Sequence, residues 1–509
     1  MLRSLLFALL FLFTASLANA QFFTGLRSSP YGGITNVNFN PAIADSRYLV
    51  DINIIGIGAN VNNNYVGLDR RVIYHPSLFN SPDFQSQYLK ERVNGLHKNA
   101  YAGLQVQGPL SFMFSFGPKK SPNLNAIGFS YHANFISNVD HVDETLARTA
   151  YYGLGQTANA ITNYLGRDLN NVNLSVKSAA WMDYGLTYSR VIIDKREIML
   201  KVGGTLKLLQ PMQGAYGYTQ NLNYHWTEYV QLSINNARVN YAYSEGLVTS
   251  NGNQSPTAAN YVRNAFSFKN GPPTVGVDMG AIFEWRPEKS STEMDCNCYD
   301  PNRSKKYKVA AGFSIMDFGA LRFKRGQYSR DFTADIQNWN VGGAQFPDGL
   351  QSLDDTIKTR FNLAPFKKNF TVWLPTRFNM FVDYNVWKDF GVAFTAVISQ
   401  DMSPKHNMLH QVSTFSITPK WDSKWFGAYV PLSVDVFGNV SLGATLRAGP
   451  LIIGTQDLLG LFAKKHIYNA DIHAALKISI PNKKICPKNR GWKFNGQAAT
   501  PLKAERKRL

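Results

Sequence analysis

The chain has 509 residues, 44% of them hydrophobic and 13% aromatic, with 53 Lys or Arg against 34 Asp or Glu and a formal charge of +19. Beyond the first twenty residues no run of 18 or more apolar residues occurs, which excludes a helical inner-membrane protein. There is no His-Glu-x-x-His, no Gly-x-Ser-x-Gly and no phosphate-binding glycine loop, so no enzymatic activity and no cofactor are expected.

Residues 1–20 read as a secretory signal. Arg3 supplies the positive start, Leu5 to Leu17 the apolar stretch, and Ala18-Asn19-Ala20 the small-residue cleavage site, so cleavage falls between Ala20 and Gln21. No Cys occupies the new N-terminus, which argues against a lipoprotein. Export also argues against nucleic acid as a partner. Residues 21–45 are expected to form an N-terminal periplasmic or plug-like segment.

From about residue 46 the chain alternates. Strand 1 is expected at about 47–61, followed by a polar excursion over 62–100 with a short helix near 82–93. Strand 2 spans about 101–116 and strand 3 about 126–137. In strand 3, Ile127, Phe129, Tyr131, Ala133 and Phe135 share one face, and Gly128, Ser130, His132 and Asn134 the other. A helical insertion is expected over 138–172. Strands 4 (about 174–193) and 5 (about 197–209) meet at a tight Asp194-Lys195-Arg196 turn. A long excursion over 210–271 precedes strand 6 (about 273–285), and a polar loop leads to strand 7 (307–316). Another long excursion covers 319–372.

The last third is a tight meander. Strand 8 is expected at 376–386, strand 9 at 390–399 and strand 10 at about 410–418. Strands 11 and 12 form a hairpin. There Phe426, Ala428, Val430, Leu432, Val434 and Val436 alternate with small or polar residues, the chain turns at Phe437-Gly438-Asn439, and Val440 to Arg447 alternates again. Strand 13 is short, about 451–455. A helical cap near 457–462 precedes strand 14 at 470–480.

Fourteen strands give an all-β fold: a transmembrane antiparallel β-barrel over residues 46–482 with helical insertions in its outer loops. The even count places both chain ends on the periplasmic side. The excursions at 62–100, 138–172, 210–271, 319–372 and 456–469 then all face outward. The short turns face the periplasm, with the 287–306 loop as the long exception. Trp373, Trp387, Trp421 and Trp425 fall at strand ends, where an interfacial girdle is expected.

The lumen faces carry His132, Asp383, Asp435, Arg447, Asp471, His473 and Lys477. The charged members are expected to keep the interior hydrated and fix register; a ladder of pairs along a substrate path is the functional alternative. Cys296, Cys298 and Cys486 make no disulfide framework and no zinc set, and no role is assigned to them. Residues 483–509 carry nine Lys or Arg and one acid, Glu505, a balance of +8. They are expected to form a solvated basic periplasmic tail, with an electrostatic contact to an acidic partner or anionic surface as the alternative.

Two sets of residues carry a resemblance. Asn40-Pro41-Ala42 resembles an element near the N-terminus of the long-chain fatty-acid transporter (FadL-type) barrel superfamily. The wider pattern is similar to a Bacteroidota-type outer-membrane barrel family of unknown function. It comprises Asn40 to Tyr48, Asn62-Asn63-Asn64-Tyr65, Phe283 to Pro287, Gly312 to Gly319, Gly449 to Gly454 and Leu476 to Pro481. The resemblance implies a barrel of about fourteen strands. It does not imply fatty-acid transport, because barrels of this architecture also serve as non-transporting subunits of secretion and assembly machines. Some members of the close family precede peptidoglycan-binding modules; here the chain is expected to end in its basic tail instead.

The expected role is therefore a non-enzymatic structural or accessory subunit of an envelope secretion or assembly complex. Its partners would be outer-membrane lipid and other envelope proteins, met through the outer loops and the tail. Two alternatives stand beside it: a transporter or channel for a hydrophobic or small solute, and a secreted soluble β-protein.

Overall fold

The protein is described by a computed structural model covering residues 23–118, 124–152, 162–171, 173–195, 197–229, 231–245, 247, 270–287, 307–340, 350–403 and 406–481. The signal sequence with its Ala20–Gln21 junction, the three cysteines and the tail from Lys483 onward lie outside the described residues.

Fourteen antiparallel staves close into a barrel. They are β1 (Tyr48–Asn63), β2 (Lys98–Gln107, continued by Ser111–Phe116), β3 (Asn125–Val142), β4 (Ser175–Asp194), β5 (Ile198–Gln220), β6 (Thr274–Trp285) and β7 (Val309–Lys324). There follow β8 (Arg377–Trp387), β9 (Phe390–Ser399), β10 (Thr414–Asp422), β11 (Phe426–Tyr429 and Leu432–Asp435), β12 (Val440–Leu442 and Ala444–Ala448), β13 (Leu451–Thr455) and β14 (Asn469–Pro481). Each pairs with its sequence neighbour. β14 then pairs with β1 from Tyr48↔Pro481 to Asn62↔Asn469 and removes the free edge.

Side-chain alternation sets which face is which. In β10, Thr414, Ser416, Thr418, Lys420 and Asp422 are buried, while Phe415, Ile417, Pro419 and Trp421 are exposed. The outward set is apolar almost everywhere along the barrel: Val382, Phe394, Ile417, Leu432, Leu446, Ile453 and Ile478 are each between 44% and 56% exposed. A continuous apolar outer band over a polar interior is the pattern of a lipid-embedded barrel and the inverse of a soluble one. Among the described residues no helix is long and apolar enough to cross a membrane.

Three local departures have physical causes. β2 breaks between Gln107 and Ser111, where Leu110 takes a left-handed φ of 69°. β11 breaks before Pro431, which lacks a ladder donor, and β12 breaks opposite it at Gly443, whose N–H bonds the Pro431 carbonyl at 2.7 Å. Strand 10 starts at Thr414 rather than His410. Residues 410–413 bend into the lumen, where the His410 carbonyl accepts from Asn138 Nδ2 at 2.9 Å and the Gln411 N–H donates to Ser399 Oγ at 3.1 Å.

The long-loop end corrects the expectation more deeply. The excursions over 210–271 and 319–372 and the insertion over 138–172 contain strands. β3, β5 and β7 run on past the apolar band, and Asp168–Asn171, Leu222–Glu228, Gln231–Tyr243, Arg330–Asn340 and Asn369–Trp373 pair with them or with each other. Here Asn, Tyr and Gln occupy both faces, because neither face meets lipid, so the apolar–polar period that marks the staves is missing. The expected helix in the insertion is real but short, Glu144–Tyr152. In the first excursion the helical turn is Phe84–Tyr88.

Candidate functional site

The lumen is occupied. Residues 23–47 form two short 3-10 turns, Thr24–Leu26 and Gly33–Asn38, and lie against the inner wall. Leu26 and Ile34 are fully buried. Small apolar contacts seat the segment: Phe23 and Leu26 pack on Tyr429, Ile452 and Ala475, and Ile34, Val37 and Ile43 on Met113 and Ala126.

Polar bonds from many staves then hold its backbone. Lys477 Nζ donates to the carbonyls of Tyr31 at 2.9 Å and Gly32 at 3.0 Å, and the Ile34 N–H donates to Asp51 Oδ2 at 2.8 Å. Arg377 donates to the Asn38 carbonyl at 2.7 Å; Asn379 Nδ2 at 2.8 Å and Ser314 Oγ at 2.6 Å share the Phe39 carbonyl. Asn40 Nδ2 donates to the carbonyls of Ala281 at 3.2 Å and Phe313 at 3.1 Å. Asp45 pairs with Arg286 at 3.0 Å. The wall is shaped for this approach. A Cβ on Gly203 would lie 2.1 Å from the Pro41 carbonyl oxygen, and one on Gly280 2.3 Å from Asn40 Oδ1.

All seven expected lumen residues face inward, with different partners from a simple ladder. Asp383 is bonded by Lys420 and Tyr307. Arg447 pairs with Asp422 at 2.9 Å, and Lys477 with Asp51 at 3.2 Å. His132 Nδ1 lies 2.8 Å from Asp183 Oδ1, and His473 Nε2 3.0 Å from Thr445 Oγ1. Asp435 accepts from Asn62 Nδ2 at 2.7 Å and from the N–H groups of Phe437 and Asn439. Asp471 accepts from the Gln456 N–H at 2.5 Å. Asp383, Asp435, Arg447, Asp471 and Lys477 therefore do not pair with one another.

Several partners were not singled out by sequence. Asp51, Lys420 and Asp422 sit at inward positions of β1 and β10, and the alternation of those strands was their available signal. Lys177, Lys207 and Asp278 are further buried charges of the same kind: Lys207 bridges Asp278 at 2.8 Å and Asp317 at 2.6 Å. Lys177 joins Asp140 at 3.0 Å and Asp401 at 2.5 Å, drawing in the loop after β9.

Above the N-terminal segment, toward the long loops, the lumen changes character. Tyr101, Trp181, Leu209, Leu321, Phe323 and residues of two inward-bending links, Val372, Leu374, Leu409 and Val412, form one buried apolar cluster. Backbone bonds at Trp373 join those links: its N–H donates to the Asn407 carbonyl and its carbonyl accepts from the Leu409 N–H, both at 3.0 Å. An apolar cap and a polar-bonded segment thus close the barrel in series. A cavity of about 80 Å³ remains between the segment and the wall, lined in part by Arg27, Asn40, Lys201, Glu284 and Tyr307. One of about 20 Å³ lies beside Asn60, Asp435 and Asp471.

At the short-turn end Trp285, Trp387, Trp421 and Trp425 are all exposed, and Lys388 and Lys424 stand over Trp387 and Trp425 at 4.6 and 5.7 Å. Trp373 sits apart from them, at the end of the strand Asn369–Trp373, opposite Ala320 of β7.

Residues 41–456 match the model of a family described as a family of unknown function (DUF5723). Comparison with curated proteins returns no match. Among solved structures, a deltaS2 mutant of the TodX monoaromatic hydrocarbon channel is 10% identical, covering 89% of this chain and 95% of that one, with a TM-score of 0.38. The toluene transporter TbuX of Ralstonia pickettii is 8% identical, covering 87% and 92%, with a TM-score of 0.35. At such values the barrel assignment rests on the strand pairing described above.

Proposed function

The chain belongs to the DUF5723 family, and we propose that it is an outer-membrane barrel forming a gated passage for a small solute, with residues 23–47 as the gate. The observation that carries this is how the segment is held. Its backbone is fastened by buried wall side chains such as Lys477, Arg377, Asn379 and Ser314, and its own Asn40 side chain bonds the wall in return. Buried charges are costly to desolvate, and well-packed apolar side chains in their place are often neutral or stabilising. A permanently filled barrel has no need of them; a segment that leaves the wall exposes a polar path ready for water. The polar lining favours a small polar solute over a hydrophobic one. The apolar outer band supports the membrane location.

The test is electrical. Deletion of residues 24–45, alone and with Leu374→Ser and Leu409→Ser in the cap, is reconstituted in planar bilayers beside the parent. Parent barrels should hold near baseline and the combined variant should conduct. A combined variant that keeps the heat-dependent gel mobility of a folded barrel, yet stays as tight as the parent, overturns the proposal. Outer-membrane fractionation tests the location.

The strands beyond the apolar band favour a second reading, a docking subunit. A concavity of about 390 Å³ there is lined by Arg325, Arg330, Asp331 and the exposed Phe366. Reproducible co-purification of one envelope protein, lost on Phe366→Asp, would support it.

A further inference from the structure

We propose that the lumen wall beside β14 holds a site for one calcium-type cation, in the cavity bounded by Asn60, Ser433, Asp435 and Asp471. The cavity of about 20 Å³ lies on the long-loop side of the barrel, between β1, β11 and β14. That is room for about one water-sized sphere. Asn60 and Asp471 face each other across the β1–β14 pairing, and Ser433 projects from β11.

Three of the residues lining it each carry a side-chain oxygen with no hydrogen-bond partner: Asn60 Oδ1, Ser433 Oγ and Asp471 Oδ2. Asn60 is 7% exposed, Ser433 4%, and the Asp471 side chain 2%. Buried oxygens are satisfied in nearly every folded protein, so three orphans around one cavity call for a ligand that accepts lone pairs. An amide oxygen, a hydroxyl and a carboxylate form a hard-cation ligand set.

Charge points the same way. Among the described residues, neither Asp435 nor Asp471 has a Lys or Arg partner. Lys464 is taken by Asp457, and the buried Arg27 is close enough to feel the Asp471 charge but makes no salt bridge to it. His473 Nδ1 stands 3.5 Å from Asp471 Oδ1 without a hydrogen bond. Neither the half-buried Asp435 nor Asp471 has a direct salt-bridge partner to offset its charge, and one divalent ion would neutralise both. No three His, Cys, Asp or Glu side chains of the described residues converge as a metal cluster, so the site depends on Asn and Ser oxygens and would disfavour zinc and copper.

The test uses the whole barrel, folded in detergent and stripped with chelator. Terbium luminescence and equilibrium dialysis with radioactive calcium measure uptake, and heat-dependent gel mobility confirms that each variant is folded. One calcium per chain is expected, with a rise in unfolding temperature that magnesium does not match. Asp471→Asn should weaken binding on the order of tenfold, since calcium affinity follows the charge of the ligand set. Asn60→Asp should tighten it. If the cavity holds only a water, Asn60→Asp destabilises the barrel with or without calcium. That result, or calcium uptake unchanged by both variants, overturns the site.

Discussion

Lys477 on β14 and Asp51 on β1 meet at 3.2 Å, both with side chains fully buried, and each also bonds the N-terminal segment. Asp51 stands opposite Ser479, and Lys477 opposite Asn53, so the pair runs diagonally across the seam that closes the barrel. One contact thus joins the first stave, the last stave and the segment inside. Lys477→Met leaves Asp51 charged and alone, and should cost about 3–5 kcal/mol, as loss of one member of a buried pair does. Adding Asp51→Asn should restore part of that. Urea unfolding in lipid vesicles, followed by tryptophan fluorescence, measures both.

The wall glycines offer a displacement that leaves the polar bonds chemically intact. Gly203 and Gly280 have no room for a Cβ beside Pro41 and Asn40. Gly203→Val should push residues 40–42 off the wall while the staves stay paired. Limited proteolysis should then cut the N-terminal segment several-fold faster than in the parent, at unchanged gel mobility. Equal protection would mean that the segment adapts.

Acid should loosen one loop tether before it loosens the barrel. Glu144, at the start of the helix Glu144–Tyr152, accepts from Lys98 Nζ at 2.7 Å and from the N–H groups of Asn94 and Gly95 at 2.8 and 3.0 Å. Burial pushes its carboxyl up, but the Lys98 and backbone bonds outweigh burial and hold it below its ordinary value of 4.5. A depressed carboxylate stabilises fully above the unfolded value, and the contribution is lost as pH falls through the folded one. Amide exchange at Asn94 and Gly95 should stay protected above pH 5 and open progressively below about 4.5. Glu144→Gln should remove that pH dependence.

The outer band gives a position-specific prediction. Ile417 is an outward residue of β10, and its neighbour Ser416 points inward to Thr395 Oγ1 at 2.6 Å. Ile417→Arg should destabilise by roughly 2–4 kcal/mol if the residue sits near the bilayer midplane. Ile417→Val should cost little. A shift in urea midpoint in vesicles reads both.

The staves were legible because lipid outside and bonded polar groups inside impose opposite demands on successive residues. Strand 8, with Met380, Val382 and Tyr384 out and Asn379, Phe381 and Asp383 in, could be read directly. Where the chain leaves the apolar band that contrast fades, so Gln231–Tyr243 and Arg330–Asn340 passed as loops although they pair over much of their length. The inward positions of His132, Arg447 and Lys477 followed from parity alone. Their partners did not, because register sets them: Asp183 lies directly across the β3–β4 pairing, Asp422 two strands from Arg447 across Gly427, and Asp51 diagonally across the seam. Phe23 to Arg47 carries no period at all; its shape is imposed by wall residues spread from Asp51 to Lys477.

The closing seam also bears on assembly. β1 and β14 pair although Asp51 and Lys477 are 426 positions apart, and contacts so distant in the chain are slow to form. The segment before β1 lies inside the closed ring. It runs into β1 at Tyr48, at the short-turn mouth, so it can leave and return there without crossing the wall or the apolar cap. With the segment seated, Lys477 is shared between Asp51 and the Tyr31 and Gly32 carbonyls. With the segment away, the Asp51 pair would still hold that stretch of the seam together.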